Sequence, residues 1–276
     1  KGEGFEALKR TQWGYAGNPN MGGVIMVGLG CEVFQIGRMK EEYGIVENEL
    51  FHSMTIQATG GTRKTVEAGL ERIKAMLPIL DKAQRETRPA SELMLALQCG
   101  GSDGYSGISA NPALGVASDL LVRHGGTSVL AETPEIYGAE HLLTRRAVTP
   151  AVAEKLMARI DWWRDYTARN GDELNNNPSY GNKQGGLTTI LEKSLGAVAK
   201  GGTMPLKAVY EYAETVTEKG FVFMDTPGYD PAAVTGQVAG GCNVICFTTG
   251  RGSVSGFKPA PCIKIATNTE MYEHMD

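Results

Sequence analysis

Short apolar runs alternate along the chain with segments whose apolar residues recur every three to four positions. Runs of this kind are typical of strands buried in a parallel sheet, and the longer spacing is typical of helices packed on it. The pattern predicts strands at residues 23–29, 54–56, 93–97, 127–130, 220–224, 243–247 and 263–266. It predicts helices at residues 5–13, 62–83, 113–123, 149–169, 188–200, 207–217 and 231–239.

This order predicts an α/β fold, with a mostly parallel sheet covered by helices on both faces in Rossmann-like layers. A chain of 276 residues can bury one large core or two modest ones. We predict two subdomains, at about residues 1–90 and 91–276. Pro78 is expected to kink the second helix or to end it near Leu77, and Thr149-Pro150 is a good helix start.

Glycine-rich loops are expected at the carboxyl ends of the strands, because 36 glycines, about 13% of the chain against an average near 7%, cluster there. The most informative loop, residues 98–107, offers a thiol, hydroxyls, a carboxylate and an amide on a flexible backbone. Five other strands also run into polar segments, at residues 30–32, 57–62, 132–135, 225–228 and 248–252. If these strands share one parallel sheet, the six segments converge on one cleft, which favours an enzyme.

Charge and cysteine content narrow the function classes. The net charge is −4 without a basic block, which argues against nucleic acid as the main partner. No apolar run approaches the length of a membrane span, and the first residues do not resemble a signal peptide. Five cysteines without a CxxC pair favour a reduced compartment, so we predict a cytoplasmic protein.

Two cysteines, Cys31 and Cys99, lie at predicted strand ends beside glycine and close to a carboxylate. Thiolates at such positions suit iron or zinc, although each residue could instead be a buried core cysteine or a nucleophile. Cys242 and Cys246 are four residues apart on one buried strand and are interpreted as core residues.

Several segments could bind an anion. Thr62 opens a predicted helix whose free backbone amides suit a phosphate or a carboxylate, and Lys183 lies in a similar segment; the alternative is an ordinary helix start. The Arg251 guanidinium suits a carboxylate, and the alternative is a surface arginine. Because neither a P-loop nor a GxGxxG motif is present, a small acid is favoured over a nucleotide. His141 could line the site, whereas His124 could equally cap a helix.

Five motifs occur together and in order, at residues 28–32, 98–113, 132–146, 176–183 and 248–252. They resemble the altronate dehydratase/galactarate dehydratase family of sugar-acid dehydratases, over essentially the whole chain. The resemblance implies a hydro-lyase of carbohydrate-acid catabolism. It would remove water from an aldonic or aldaric acid to form a 2-keto-3-deoxy sugar acid, using a divalent metal, with Fe²⁺ expected and Mn²⁺ or Mg²⁺ as alternatives.

Members of the family extend beyond both ends of this chain. The resemblance therefore implies the catalytic portion of a longer enzyme, one that needs an upstream segment or a partner subunit. A homo-oligomer and a small-molecule sugar acid are the other partners we expect.

The reaction implied by the resemblance needs a base for the C2 proton, an acid for the C3 hydroxyl, and stabilisation of an enediolate. The residues we expect at the metal or beside its ligands are Cys31, Glu32, Cys99 and Asp103. Those expected to bind the carboxylate or hydroxyls of the substrate are Gln57, Thr62, Ser102, Asn111, Lys183 and Arg251. The candidates for the acid or base are His141, His124 and Lys183.

Three other functions remain open from the sequence. A sulfolactate sulfo-lyase, whose large subunit is similar to these dehydratases, would release sulfite by the same enolate chemistry, and a substrate panel distinguishes it. A non-catalytic sugar-acid-binding module would bind without a metal. A nucleotide-binding domain would respond to NAD or ATP in a thermal-shift screen.

Overall fold

The computed structural model describes residues 2–275, and its strands form two sheets. The strands are β1 (Val24–Gly28), β2 (Phe51–Thr55), β3 (Met94–Cys99), β4 (Thr127–Leu130), β5 (Leu206–Tyr210), β6 (Gly220–Met224), β7 (Val244–Thr249) and β8 (Cys262–Ala266). The helices are α1 (Glu3–Ala16), α2 (Ile36–Tyr43), α3 (Ile56–Thr59), α4 (Thr62–Leu80), α5 (Ala110–Arg123), α6 (His141–Thr144), α7 (Pro150–Arg169), α8 (Tyr180–Gln184), α9 (Ile190–Ala199), α10 (Asp230–Ala239) and α11 (Thr269–His274).

The large sheet has six strands in the order β5-β6-β4-β3-β7-β8, and every strand pair in it is parallel. The predicted α/β fold with a parallel sheet is thereby confirmed. Strands β1 and β2 pair only with each other, in a separate two-stranded sheet. The expectation that all six polar segments share one sheet edge is therefore wrong, because the segments at residues 30–32 and 57–62 follow the strands of the small sheet.

Side chains on both faces of the large sheet are buried under helices. Leu95 and Leu97 of β3 point to one face, in a core with residues of α5, α7 and α9. Ala96, between them, points to the other face, in a core with Val234 and Val238 of α10. The two-sided covering confirms the predicted layers and explains why the central strands read as continuous apolar runs.

The predicted helix at residues 207–217 is wrong, since its first part is strand β5. Leu206, Val209 and Tyr210 are the buried residues of this strand, and the register against β6 shifts between Leu206 and Val209. The irregularity places buried residues three and four positions apart, which is also the spacing of a helix face. Pairing with β6 decides between the two structures, and the sequence pattern contains no information about that pairing.

Other differences are smaller. Helices α2 and α11 were not predicted, and β2 begins at Phe51 rather than at residue 54. Helix α4 continues past Pro78 to Leu80. Helix α7 starts as predicted, with the Thr149 hydroxyl accepting a hydrogen bond from the Val152 amide. None of the helices within residues 2–275 combines the length and apolar character that crossing a membrane requires.

The first helix packs against the large sheet's helix α10, although it belongs to the predicted first subdomain. The Asn18 side chain donates hydrogen bonds to the carbonyls of Val238 (2.9 Å) and Cys242 (3.1 Å). A Cβ on Gly14 would overlap the Ala239 carbonyl, so α1 approaches the end of α10 at backbone distance.

This approach can be tested with two glycines of the same helix. Gly14→Ala is expected to lower the free energy of unfolding by about 1–3 kcal/mol, because the added methyl group overpacks against backbone. Gly4→Ala, which meets no atom within 4 Å, should be neutral or stabilising by less than about 1 kcal/mol. Denaturant unfolding of both variants measures the difference, and equal effects would contradict the packing.

Candidate active site

A polar cavity of about 500 Å³ lies at the carboxyl edge of the large sheet, where ligands of open α/β folds usually bind. The loops after β3, β6 and β7 contribute to its wall, together with the segment before α8 and a lysine of α9. The lining residues are Cys99, Gly100, Gly101, Ser102, Glu135, Asn176, Asn177, Ser179, Gly181, Asn182, Lys193, Gly228, Tyr229, Asp230 and Arg251.

Three buried acidic side chains form a cluster beside this cavity, and two of them, Cys99 and Glu135, line it. Cys99 is the last residue of β3, Glu132 follows β4, and Glu135 lies in the 3-10 turn Thr133–Ile136. The Cys99 sulfur and one carboxylate oxygen of each glutamate all lie within 4.8 Å of one another. The arrangement brings a thiol and two carboxylates to distances at which they could share one cation.

The backbone of Glu132 is held in a left-handed conformation, with φ of 71°, which is rare outside glycine. Such a conformation costs about 1–3 kcal/mol and persists only where the surroundings impose it. Here Thr226, in the segment that follows β6, imposes the left-handed conformation through two hydrogen bonds. The Glu132 amide donates to the Thr226 hydroxyl (2.9 Å), and the Thr133 amide donates to the Thr226 carbonyl (3.0 Å).

Most carboxylate oxygens of this cluster accept no hydrogen bond from the described part of the protein. Both oxygens of Glu132 and one oxygen of Glu135 are buried without a hydrogen-bond partner within residues 2–275. Burial and the nearby Glu135 raise the pKa of Glu132 well above its ordinary value. Buried polar atoms without partners are costly and rare, and a bound cation would satisfy them.

Two buried lysines face the same cluster from α9 and its C-terminal cap. Lys200, 1% exposed, places its ammonium 2.9 Å from the Cys99 sulfur and 4.0 Å from the nearer Glu132 oxygen. Lys193 donates to a Glu135 carboxylate oxygen (2.8 Å) and to the side-chain oxygen Oδ1 of Asn177 (2.8 Å). Burial by itself would lower the pKa of both lysines. The negative charge of Cys99 beside Lys200, and that of Glu135 beside Lys193, has the opposite effect, and the pKa of each lysine is raised overall.

The balance of charges leaves room for a divalent cation. Four acidic groups, namely those of Cys99, Glu132, Glu135 and Asp230, lie close to the two ammonium groups of Lys193 and Lys200. Burial raises the pKa of the Cys99 thiol, with Lys200 acting against it. A coordinated metal deprotonates a thiol, and a mixed set of one sulfur and carboxylate oxygens suits a divalent transition metal.

Comparison with known proteins shows which family the chain belongs to. Residues 90–276 match the family described as D-galactarate/Altronate dehydratase, C-terminal. Residues 1–81 match the family described as D-galactarate dehydratase/Altronate hydrolase, second domain. The chain belongs to the galactarate/altronate dehydratase family. The resemblance found in the motifs is confirmed. The two matches are separated by residues 82–89, and the division into subdomains stays a prediction.

Three curated relatives are similar to the chain over nearly all of its length, two of them named as dehydratases and one as a sulfo-lyase subunit. It is 40% identical over 272 residues to altronate dehydratase of Bacillus subtilis (strain 168), covering 99% of this chain and 54% of that protein. It is 43% identical over 260 residues to galactarate dehydratase (L-threo-forming) of Escherichia coli (strain K12), and the match covers 92% of this chain and 50% of that protein. It is 34% identical over 282 residues to (2R)-sulfolactate sulfo-lyase subunit beta of Chromohalobacter salexigens, and the match covers 97% of this chain and 69% of that protein. The chain thus spans about half the length of the two dehydratases.

Among the site residues predicted for this dehydratase-family chain, Cys99, Ser102 and Arg251 line the cavity. The Ser102 hydroxyl oxygen is buried and has no hydrogen-bond partner within residues 2–275. Within the described part of the chain, the Arg251 guanidinium donates one long hydrogen bond, 3.4 Å, to the Gln184 side chain. Both groups are available to a ligand.

Asp103 and Asn111 are occupied by contacts that brace the loop after β3. Asp103 accepts hydrogen bonds from Ser106 (2.9 Å) and Thr267 (2.9 Å) through its two carboxylate oxygens. Asn111 accepts from the Thr248 hydroxyl (2.6 Å) and donates to a carbonyl of α9. Neither residue lines the cavity, and their roles at a metal or substrate stay predictions.

Cys31, Glu32, Gln57 and Thr62 follow the strands of the small sheet and do not line the cavity. Cys31 is exposed, and the Gln57 amide nitrogen lies 3.5 Å from its sulfur. Glu32 accepts a hydrogen bond from the amide of Gly30 (2.6 Å). Among the described residues, the cluster around Cys99 includes none of them, so their metal and substrate roles stay predictions.

The predicted acid–base candidates His124, His141 and Lys183 are exposed and lie outside the cavity lining. His124 bonds through Nδ1 to the Leu120 carbonyl (2.8 Å) at the end of α5, which is the capping role given as its alternative. His141 begins α6, and Lys183 neighbours the lining residue Asn182 on α8. A catalytic role for any of the three stays a prediction.

Sequence reasoning did not select six residues that the structure brings together: Glu132, Glu135, Asn177, Lys193, Lys200 and Asp230. The two glutamates lie in a post-strand segment that had been predicted to reach the cleft. Lys193 and Lys200, seven residues apart on one face of an apolar helix, are a signal that could have identified buried cations. No pattern in the sequence marks Asp230.

Proposed function

We propose that this chain forms the catalytic part of a sugar-acid dehydratase, a hydro-lyase that converts an altronate- or galactarate-like acid to a 2-keto-3-deoxy sugar acid. The observation that carries the proposal is the buried cluster of Cys99, Glu132 and Glu135 at the wall of a polar cavity. The chain's similarity to proteins named altronate and galactarate dehydratase supports this substrate class.

Cys99, Glu132 and Glu135 are the residues that would hold a divalent metal, and we propose Fe²⁺, with Mn²⁺ or Mg²⁺ as alternatives. Their unpartnered carboxylate oxygens and the excess of acidic groups support this choice of site. A divalent cation bound there would supply Lewis-acid stabilisation of the charge that develops on the substrate carboxylate. The left-handed backbone at Glu132 keeps its carboxylate with the other two acidic groups.

The remaining lining residues would bind and orient the acid. The Arg251 guanidinium suits a carboxylate, and the unpartnered Ser102 hydroxyl suits a substrate oxygen. Gly101, with φ of 58°, lets the backbone between Cys99 and Ser102 turn along the cavity wall. Lys193 adds positive charge where negative charge develops, and charged groups that are already in place lower the barrier most effectively.

The test uses the protein in its natural full length, purified without oxygen. Ketoacid formation from a panel of aldonic and aldaric acids is measured with and without added Fe²⁺, together with sulfite release from sulfolactate. Turnover of altronate or galactarate that depends on the metal is expected. Sulfite release alone would favour the lyase of carbon–sulfur bonds, and binding of an acid without metal or turnover would favour a binding module.

A matched pair of cysteine variants tests the metal ligands separately from the substrate. Cys99→Ser is expected to lower metal content and metal affinity at least about tenfold, because a thiolate ligand is lost from the cluster. Cys242→Ser, which removes an equally buried thiol from the core under α10, should retain the metal. Metal analysis of the purified variants gives the answer, and unchanged metal content in Cys99→Ser would remove Cys99 from the site.

A further inference from the structure

We infer that Asp230 is the general base that removes the C2 proton of the substrate; this inference rests on the proposed dehydratase function. Asp230 is the first residue of α10, directly after the loop that follows β6. Its side chain lines the cavity together with Gly228 and Tyr229 of the same loop. It therefore stands in the wall of the cavity that also contains Cys99 and Glu135.

The backbone after Cys99 is shaped around this carboxylate. A Cβ on Gly100 would overlap the Asp230 Oδ2 atom and the ring of Phe247. The carboxylate therefore lies directly against the residue that follows the proposed metal ligand. A substrate whose carboxylate binds at the cluster would place C2, which is bonded to the carboxylate carbon, in the same part of the cavity as Asp230.

Among the other ionisable groups of the cavity wall, Glu135 and Cys99 already have ammonium partners, and Lys193 and Arg251 are cations. Tyr229 is largely exposed to solvent. Glu135 accepts hydrogen bonds from Lys193 (2.8 Å) and Asn177 (3.1 Å), and Arg251 has no basic form in proteins. The backbone amide of Asp230 itself acts on this carboxylate and lowers its pKa, against the larger effect of burial. Among the described residues, the group of side chains close enough to share a metal does not include Asp230.

The environment also makes this carboxylate more basic than an exposed aspartate. Burial and the negative charge of Glu135 raise the pKa of Asp230, against the opposite effect of Lys200 and Lys193. A base with a raised pKa accepts a carbon-bound proton more readily. The effect supports the assignment, which stands on the position of the side chain.

The step balances without an added oxidant or reductant. Asp230 takes the C2 proton, and the electron pair of the C–H bond moves toward the carboxylate to form the enediolate. That pair then forms the C2=C3 bond as the C3–O bond breaks, and the leaving hydroxide takes a proton and becomes water. The C2 enol loses its hydroxyl proton, C3 gains one to give the 2-keto-3-deoxy acid, and Asp230 releases its proton to solvent.

The experiment compares Asp230→Asn and Asp230→Ala with the wild-type protein, each in its natural full length and loaded with Fe²⁺. Both variants should lower kcat by about 10²–10⁴-fold, with metal content unchanged. Added formate should restore part of the activity of Asp230→Ala, because a small carboxylate can replace the missing base, whereas a merely structural role would not respond. Asp161→Asn, at an exposed site of α7, is the matched control and should keep wild-type activity.

The outcomes separate the two proposals. A wild-type protein that turns over no acid of the panel would overturn the proposed function, whatever Asp230 does. If the wild type is active but Asp230→Asn stays within about threefold of it, the assignment of the base is wrong. If Asp230→Asn loses the metal, the residue is a metal ligand and the assignment is equally wrong.

Discussion

Glu132→Gln is expected to lower kcat/KM at least about 100-fold and to remove most of the bound metal, while the metal-free protein becomes more stable. The loss follows because one of three clustered acidic groups no longer carries charge, and even residues that only support metal ligands typically cost 10–100-fold. The gain in stability follows because burial and the nearby Glu135 disfavour the charged form of Glu132, as its raised pKa shows, and a neutral glutamine amide removes that cost.

Metal content, steady-state kinetics and thermal unfolding in the presence of a chelator test these expectations together. For a chain of this size, each 1 kcal/mol gained corresponds to a rise in Tm of about 2–4 °C. Glu140→Gln is a suitable control, since Glu140 also has a buried oxygen without a partner but is absent from the cluster. A Glu132→Gln protein that keeps its metal, or a chelated one that melts below the chelated wild type, would contradict the prediction.

Lys200→Met is expected to have the largest effect on stability. The side chain is buried at the end of α9, between the Cys99 sulfur and Glu132. Removal of one partner from a buried group of charges typically costs about 3–5 kcal/mol, because the remaining charge loses its compensation. The loss should be smaller in the metal-loaded protein, since a cation at the cluster would compensate the same acidic groups.

Thermal unfolding with chelator and with Fe²⁺ measures both effects. Lys207→Met, at an exposed position of β5, should change the free energy of unfolding by less than about 0.5 kcal/mol. The double variant Lys200→Met/Glu132→Gln should recover part of the loss, because both charges of the pair are then absent. Equal losses at positions 200 and 207 would show that Lys200 does not balance the charges of the cluster.

Together these two variants test how the acidic cluster is maintained in the absence of a bound cation. The structure holds acidic groups close together at a cost in stability, and it limits that cost with two buried ammonium groups. Such a conflict between stability and function is typical of active sites. A core designed only for stability would not place a left-handed glutamate beside a second buried glutamate.

Much of the fold could be predicted from the sequence, because its strongest patterns are local. The runs that became β4 and β6 have the predicted bounds, and the glycine-rich loop after β3 is where the cavity lies. The family could be identified from five motifs, because segments such as residues 98–113 and 132–146 are long enough to be specific. Cys99, Ser102 and Arg251 were selected by the same reasoning, since each follows a buried strand and carries reactive or charged groups.

Tertiary structure decided what depends on partners distant in sequence. Strand β5 exists because β6 pairs with it, whereas its own spacing of buried residues indicates a helix. Strands β1 and β2 form their own sheet, so the residues after them do not share the sheet edge with Cys99. Burial of Glu132 beside Lys200, and of Glu135 beside Lys193, joins the loop after β4 to α9. Charge, exposure and basicity at a site depend on such neighbours, and the order of residues along the chain does not contain them.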